Sequence, residues 1–270
     1  MIGQIKLQEK INKVIDSYPR FSLFVGPIGS GKKTLVKYVC DKLGLRIITF
    51  GTSIDDVREA IELAYSQREP ICYLFADADG MSVTAKNGLL KITEEPPENA
   101  YFVMTLQSMS NTLGTIESRG TLFNLDPYTQ DELISYRKYK QYTDTFDHII
   151  RDVCTNTGEV DELFSCDIPA FYKFAETIVS SIHIPKTGNI FKISKQVKSK
   201  KDDKGYDAVL LFKTVRNLYL RKGIETKIPQ YLQASLVTSK YLRDLAMPTV
   251  NTVGTVDMWI MDVRAALRGI

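Results

Sequence analysis

A short β-rich run, Phe21–Val25, leads straight into Gly26-Pro27-Ile28-Gly29-Ser30-Gly31-Lys32-Lys33-Thr34, and an apolar stripe at helical spacing, Val36, Val39, Cys40 and Leu43, follows at once. Few folds accept that order. Glycines let the backbone wrap so that successive N–H groups converge, and a helix starting at the same point adds partial positive charge. The run reads as a phosphate-binding loop between a strand and a helix. Its nucleotide-binding candidates are Gly26, Pro27, Gly29, Ser30, Gly31, Lys32, Lys33 and Thr34, with Lys32 placed to reach terminal phosphates.

The surrounding pattern supplies the architecture. Further β-rich runs at Leu45–Phe50, Ile71–Phe75, Tyr101–Thr105 and Thr121–Leu125 alternate with helical stripes such as Leu7, Ile11, Val14, Ile15 and Val57, Ala60, Ile61, Ala64. Alternation of that kind predicts an α/β fold, a five-stranded parallel sheet covered by helices. A fourth helix is expected over Val83–Thr93, stopping before Pro96-Pro97 because proline cannot continue a helix. After Pro127 only helical stripes remain, at Phe171–Ile182, Ala208–Leu218, Tyr231–Leu245 and Val256–Leu267. The expected division is a core over 1–125, a small helical lid subdomain over 126–168 and an all-helical domain over 169–270.

Composition narrows the function classes. A net charge of +3, from 35 basic and 32 acidic residues, does not by itself mark a nucleic-acid-binding surface. No apolar run approaches the roughly 18 residues that span a bilayer. Lys6, Glu9 and Lys10 interrupt the first turn where a secretory segment would be apolar, so a cytoplasmic chain with no membrane partner is expected. Cys40, Cys72, Cys154 and Cys166 form no Cys-x-x-Cys pair, and His148 and His183 lie near no such pair, so no metal site is expected and the thiols are read as reduced. Lys192–Lys204 carries the densest local positive charge, read as a solvated helix end with a phosphate or acidic partner as the alternative.

Two departures bear on catalysis. The residue after the loop lysine is normally Ser or Thr, whose hydroxyl ligates magnesium, whereas here it is Lys33. An ammonium cannot ligate a cation, and Thr34 lies about 100° further round the helix. The third strand runs into Leu74-Phe75-Ala76-Asp77-Ala78-Asp79, so the adjacent pair of acids that holds magnesium and polarises water is missing. ATP or ADP can be bound by such a loop; magnesium and efficient hydrolysis are not expected.

The stretch Asn87-Gly88-Leu89-Leu90-Lys91-Ile92-Thr93-Glu94-Glu95-Pro96-Pro97 closely resembles the Asn-x-Leu-Leu-Lys-x-x-Glu-Glu-Pro-Pro signature of AAA+ clamp-loader subunits of bacterial replicative DNA polymerases. Ile2-Gly3-Gln4 is similar to that family's N-terminal box, which lies near the nucleotide base, and Ile116-Glu117-Ser118-Arg119-Gly120 is similar to its Ser-Arg-Cys motif with Gly120 in the Cys position. Motif-level similarity covers about residues 1–125, and the remainder matches as a lid followed by a collar bundle.

Aligned from Pro96-Pro97, Ala76 stands for the family's first acid and Asp77 for its glutamate, a degenerate Walker B of the kind the delta-prime type carries. Thr157-Gly158-Glu159-Val160 stands where motor subunits carry a sensor arginine, and the zinc module common in the family has no counterpart.

The resemblance implies a hetero-oligomer with other clamp-loader subunits, joined through the collar, that opens a sliding clamp and places it on primer-template DNA. It also implies that Arg119 acts as a catalytic arginine in trans, and that DNA is contacted through its backbone, with Lys86 the candidate; on the residues alone, Arg119 is a loop arginine and Lys86 an ordinary solvated lysine. Three readings stay open: a delta-prime-like subunit poor at hydrolysis, an active ATPase in which Asp77 and Asp79 recruit magnesium, and a scaffold whose loop is vestigial or structurally occupied.

Overall fold

The computed structural model describes residues 3–109, 112–182, 193–198, 205–245 and 250–269. Two compact units emerge, one formed by residues up to Tyr136 together with Asn156–Gly158, the other by Arg137–Thr155 and the residues from Glu159 onward.

The first unit is the expected parallel sheet. Its elements are α1 (Ile5–Lys13), β1 (Phe21–Val25), α2 (Lys32–Leu43), β2 (Arg46–Phe50), α3 (Ile54–Ser66), β3 (Ile71–Phe75), α4 (Val83–Glu94), β4 (Ala100–Leu106), a short α5 (Gly114–Glu117) and β5 (Thr121–Asn124). The strand order is β2-β3-β4-β1-β5, and every pairing is parallel.

Successive strand residues face opposite sides. Phe21, Leu23, Tyr73, Phe75, Phe102 and Met104 join one core with Val57 and Ala60 of α3 and Ala85 and Leu89 of α4. Phe24, Cys72, Leu74, Val103 and Phe123 join the other with Leu7 and Ile11 of α1 and Leu35, Val36 and Val39 of α2. With both faces covered, the central strands read as unbroken apolar runs. The caps follow from sequence: Ser53 and Asp56 form a reciprocal capping box on α3, and the Ser82 hydroxyl accepts from the Ala85 N–H at the start of α4.

The second unit is helical: α7 (Asp147–Val153), α9 (Ile168–Ser181), α10 (Ala208–Thr226), α11 (Pro229–Leu245) and α12 (Thr252–Arg268), with most of α8 (Thr157–Phe164) and the end of α6 (Gln130–Tyr139). Trp259 is its fully buried centre: the ring lies 4.2 Å from that of Phe212, and its N–H donates to Thr238 Oγ1 at 3.0 Å. Asp207 caps α10 by accepting from the Leu210 N–H at 2.8 Å.

Residues 126–168, expected as a lid, divide between the two units. Tyr128 and Glu132 are built into the α/β unit. Arg137 instead grips Asp147 with two hydrogen bonds, 2.9 and 2.8 Å, and goes with the helices. Most of Lys192–Lys204, and His183, lie outside the described residues; Lys198 is described and pairs with Glu162 at 2.6 Å.

Candidate functional site

The loop lies where β1 ends and α2 begins. Gly29 (φ 77°) and Gly31 (φ 87°) both adopt left-handed backbone, which is why glycine stands there, and Gly31 forms the N-cap of α2. The N–H groups of the first helical turn have no partner within the helix, so a backbone cradle suited to an anion persists. Lys32 does not reach outward. Its ammonium donates to the carbonyls of Gly26 at 2.6 Å and Pro27 at 2.9 Å, and the residue is 6% exposed. Burial lowers its pKa below the ordinary lysine value, opposed by the charges of Asp77 and Asp79.

Other contacts brace the loop from outside. The Gly29 carbonyl accepts from the Gly158 N–H at 3.1 Å and the Thr157 hydroxyl at 3.2 Å. The fit is close: a Cβ on Gly158 would lie 2.6 Å from the Gly29 Cα. Tyr128 donates to the Ser30 carbonyl at 3.1 Å, and its ring packs on Gly3. Burial raises the Tyr128 pKa above the usual phenol value. Gln4 uses its amide on the backbone of Asp126, donating to the carbonyl at 2.6 Å and accepting from the N–H at 3.0 Å. The Ser30 hydroxyl is buried without a partner and faces inward, toward Gly26. Ile2 lies outside the described residues.

Magnesium does not fit this arrangement. Lys33 occupies the ligand position, and its ammonium lies 2.9 Å from Asp77 Oδ2. Ala76 offers no donor, and Thr34 is exposed on the following step of the helix. Asp79, the second acid proposed to recruit the ion, is engaged elsewhere: its oxygens accept from the Gln107 N–H at 2.8 and 2.9 Å and from the Ser108 N–H at 3.3 Å. Among the described residues no group of three or more Asp, Glu, His or Cys could hold a metal. Both partners of the Lys33–Asp77 pair are more than half exposed, so the pair contributes only about 0–1 kcal/mol to stability. Its consequence is local charge: a tethered ammonium stands where a divalent cation would.

Arg119 follows α5 and is held by Glu94, the last residue of α4. Its Nε donates to Glu94 Oε1 at 2.8 Å, Nη2 also contacts that oxygen, and Nη1 donates to the Thr115 carbonyl at 2.7 Å. The Arg119 side chain keeps 27% of its surface exposed.

Residues 52–129 match the family described as DNA polymerase III, delta subunit. The chain is also 28% identical, over 110 residues, to DNA polymerase III subunit gamma of Buchnera aphidicola subsp. Acyrthosiphon pisum, covering 38% of this chain and 30% of that protein. Over these residues the chain is similar to clamp-loader subunits of DNA polymerase III. The match to the family covers under a third of the chain, and the chain spans about a third of the length of that Buchnera relative.

Solved structures agree at the level of fold. A DNA polymerase III gamma subunit-related protein from Thermotoga maritima gives a TM-score of 0.55 at 14% identity, covering 96% of this chain and 99% of that one. The Thermotoga maritima RuvB Holliday junction branch migration motor gives 0.51 at 16%, covering 84% and 77%. These likenesses support the fold alone, a parallel α/β core with a helical C-terminal region.

Lys86 is buried, 4% exposed, within α4, so it is not the ordinary solvated lysine read from the residues alone; α4 turns that position inward with Ala85 and Leu89. Gly120 has a local reason to replace the motif's cysteine: a Cβ there would lie 2.7 Å from Leu23 Cγ, in the centre of the sheet. Sequence reasoning missed Tyr128, Thr157 as a loop contact and Glu94 as the arginine's partner. Glu94 was visible within the Glu-Glu-Pro-Pro stretch, but nothing in the linear order joins it to Arg119.

Proposed function

We propose that the chain is a delta-prime-like subunit of a DNA polymerase clamp loader, working in the cytoplasm. It assists ATP-dependent loading of the sliding clamp onto primed DNA, hydrolyses ATP poorly itself, and lends Arg119 in trans to a neighbouring subunit's site. The observations that carry this reading are the pairing of Lys33 with Asp77, which leaves the loop without a magnesium ligand, and the side chain of Arg119, which is still partly exposed. In a ring of unlike subunits packed head to tail, one surface faces the neighbour's nucleotide. An arginine placed there accelerates phosphoryl transfer by about 10³–10⁵ in other P-loop systems.

The loop of this chain has a narrower role under that reading. Its backbone N–H groups can hold the phosphates of ATP or ADP, with no metal-assisted step. Partners are the other clamp-loader subunits, the sliding clamp and primer-template DNA inside the complex. The scaffold reading also has support, because the Lys32 ammonium is tied to carbonyls of its own loop. Failure of labelled ATP to bind the purified chain, with assembly preserved, would favour it.

The deciding experiment reconstitutes the complex with Arg119→Ala. ATPase turnover should fall while the subunits still co-elute on size exclusion; unchanged turnover removes the trans role. Hydrolysis by the purified chain alone, abolished by Lys32→Ala, would restore the active-ATPase reading.

A further inference from the structure

We infer that Glu94 is a positioning residue for Arg119, one that orients the guanidinium toward the phosphates of a neighbouring subunit. The inference rests on the trans role proposed above and assigns a second residue to it.

The argument is an inventory of donors. A guanidinium carries five N–H groups in a fixed planar fork. Nε and Nη2 are directed at one oxygen of Glu94, and Nη1 at the Thr115 carbonyl. Nη1 and Nη2 therefore keep one N–H each, enough for a two-point grip on a phosphate. The two anchors come from different places: Glu94 from the end of α4, Thr115 from α5, one turn before the arginine. A plane fixed from two directions cannot swing about the long arginine side chain. The rotamer freedom it would lose on meeting a phosphate is already removed before the neighbour arrives.

The position of Glu94 suits this role. Pro96-Pro97 end α4 immediately beyond it, so the carboxylate sits on the last turn of a helix whose inward side, Leu89 and Ile92, is packed into the sheet core. The Glu94 side chain is half exposed, so truncating it leaves no buried void. A purely structural surface ion pair contributes little to stability, too little to explain a large loss of turnover.

The test uses the reconstituted complex with Glu94→Ala, Glu94→Gln, Arg119→Ala and the double variant. Glu94→Ala should lower kcat by about 10-fold or more at unchanged KM for ATP, since misplacing a positioned group costs up to about 10²-fold. Glu94→Gln keeps an oxygen acceptor and should retain more turnover than Glu94→Ala. The double variant should match Arg119→Ala alone, because Glu94 acts only through the arginine. If Arg119→Ala lowers turnover but Glu94→Ala does not, the positioning role falls and the trans role stands. Turnover raised by Glu94→Ala would make Glu94 a restraint and overturn the inference, as would losses that add in the double variant. No effect of Arg119→Ala removes the trans role and the inference together.

Discussion

Lys33 is the residue on which the chemistry turns. A longer, positively charged side chain stands in the position of a neutral metal-ligating hydroxyl, and Asp77 answers it at 2.9 Å. Lys33→Thr restores the hydroxyl and frees the carboxylate. Its ATP affinity should become magnesium-dependent, tighter with magnesium than with EDTA on the order of 10-fold, or about 1.4 kcal/mol. Isothermal titration of both proteins in both buffers checks this, and the native chain should show no such difference. This departure was legible from the sequence because the loop motif fixes its position to the residue. The answering contact was less so: Asp77 was visible as a displaced acid, but only the fold brings it to Lys33. Lys86 was misread because a lone lysine in a helix carries no mark of which way it faces.

At the scale of elements, register decided what could be read. The strands and long helices were legible from their periodicity, and β1 and β3 begin and end where the apolar runs do. The loop's braces were not, since Gly29 and Gly158 meet through backbone with no side chain to signal it. Gly120 is an element-level constraint, the point where the Ser-Arg motif crosses behind β1. Gly120→Cys, the family's own residue, should destabilise the chain by about 1–3 kcal/mol through overpacking against buried Leu23, measured by urea unfolding.

Helix α10 offers a pH test. Burial holds the pKa of its cap Asp207 above the usual carboxylate value. The folded state therefore binds that proton more tightly than the unfolded state, so its contribution is greatest below the unfolded pKa and is lost as pH rises through the folded one. Asp207→Asn keeps a capping oxygen without the charge. It should be at least as stable as the native chain at neutral pH, with its relative advantage shrinking toward acid, in urea melts across that range.

For the whole molecule, charge sets expectations about nucleic acid. Thirty-five basic residues against 32 acidic leave +3, and Lys198, Lys213 and Arg137 are already paired within the helical unit. The isolated chain should therefore bind primer-template DNA weakly. Its log K against log salt slope should be shallower than about −3, fewer than roughly four phosphates neutralised, by fluorescence anisotropy. A steeper slope would point to a basic surface formed by this chain alone.

The strand order carries a consequence for biosynthesis. β1 is made well before both its neighbours, β4 and β5: Phe21 aligns with Phe102, and Ser22 with both Val103 and Thr121. A nascent chain thus holds Phe21, Leu23 and Phe24 without a strand partner until translation has passed Leu106, and without the second partner until Asn124, a wait of some seconds at about 5–20 residues per second. Over that interval β1 is the segment a ribosome-associated chaperone would be expected to hold, and the phosphate loop, anchored at its end, takes shape only after the last strand arrives.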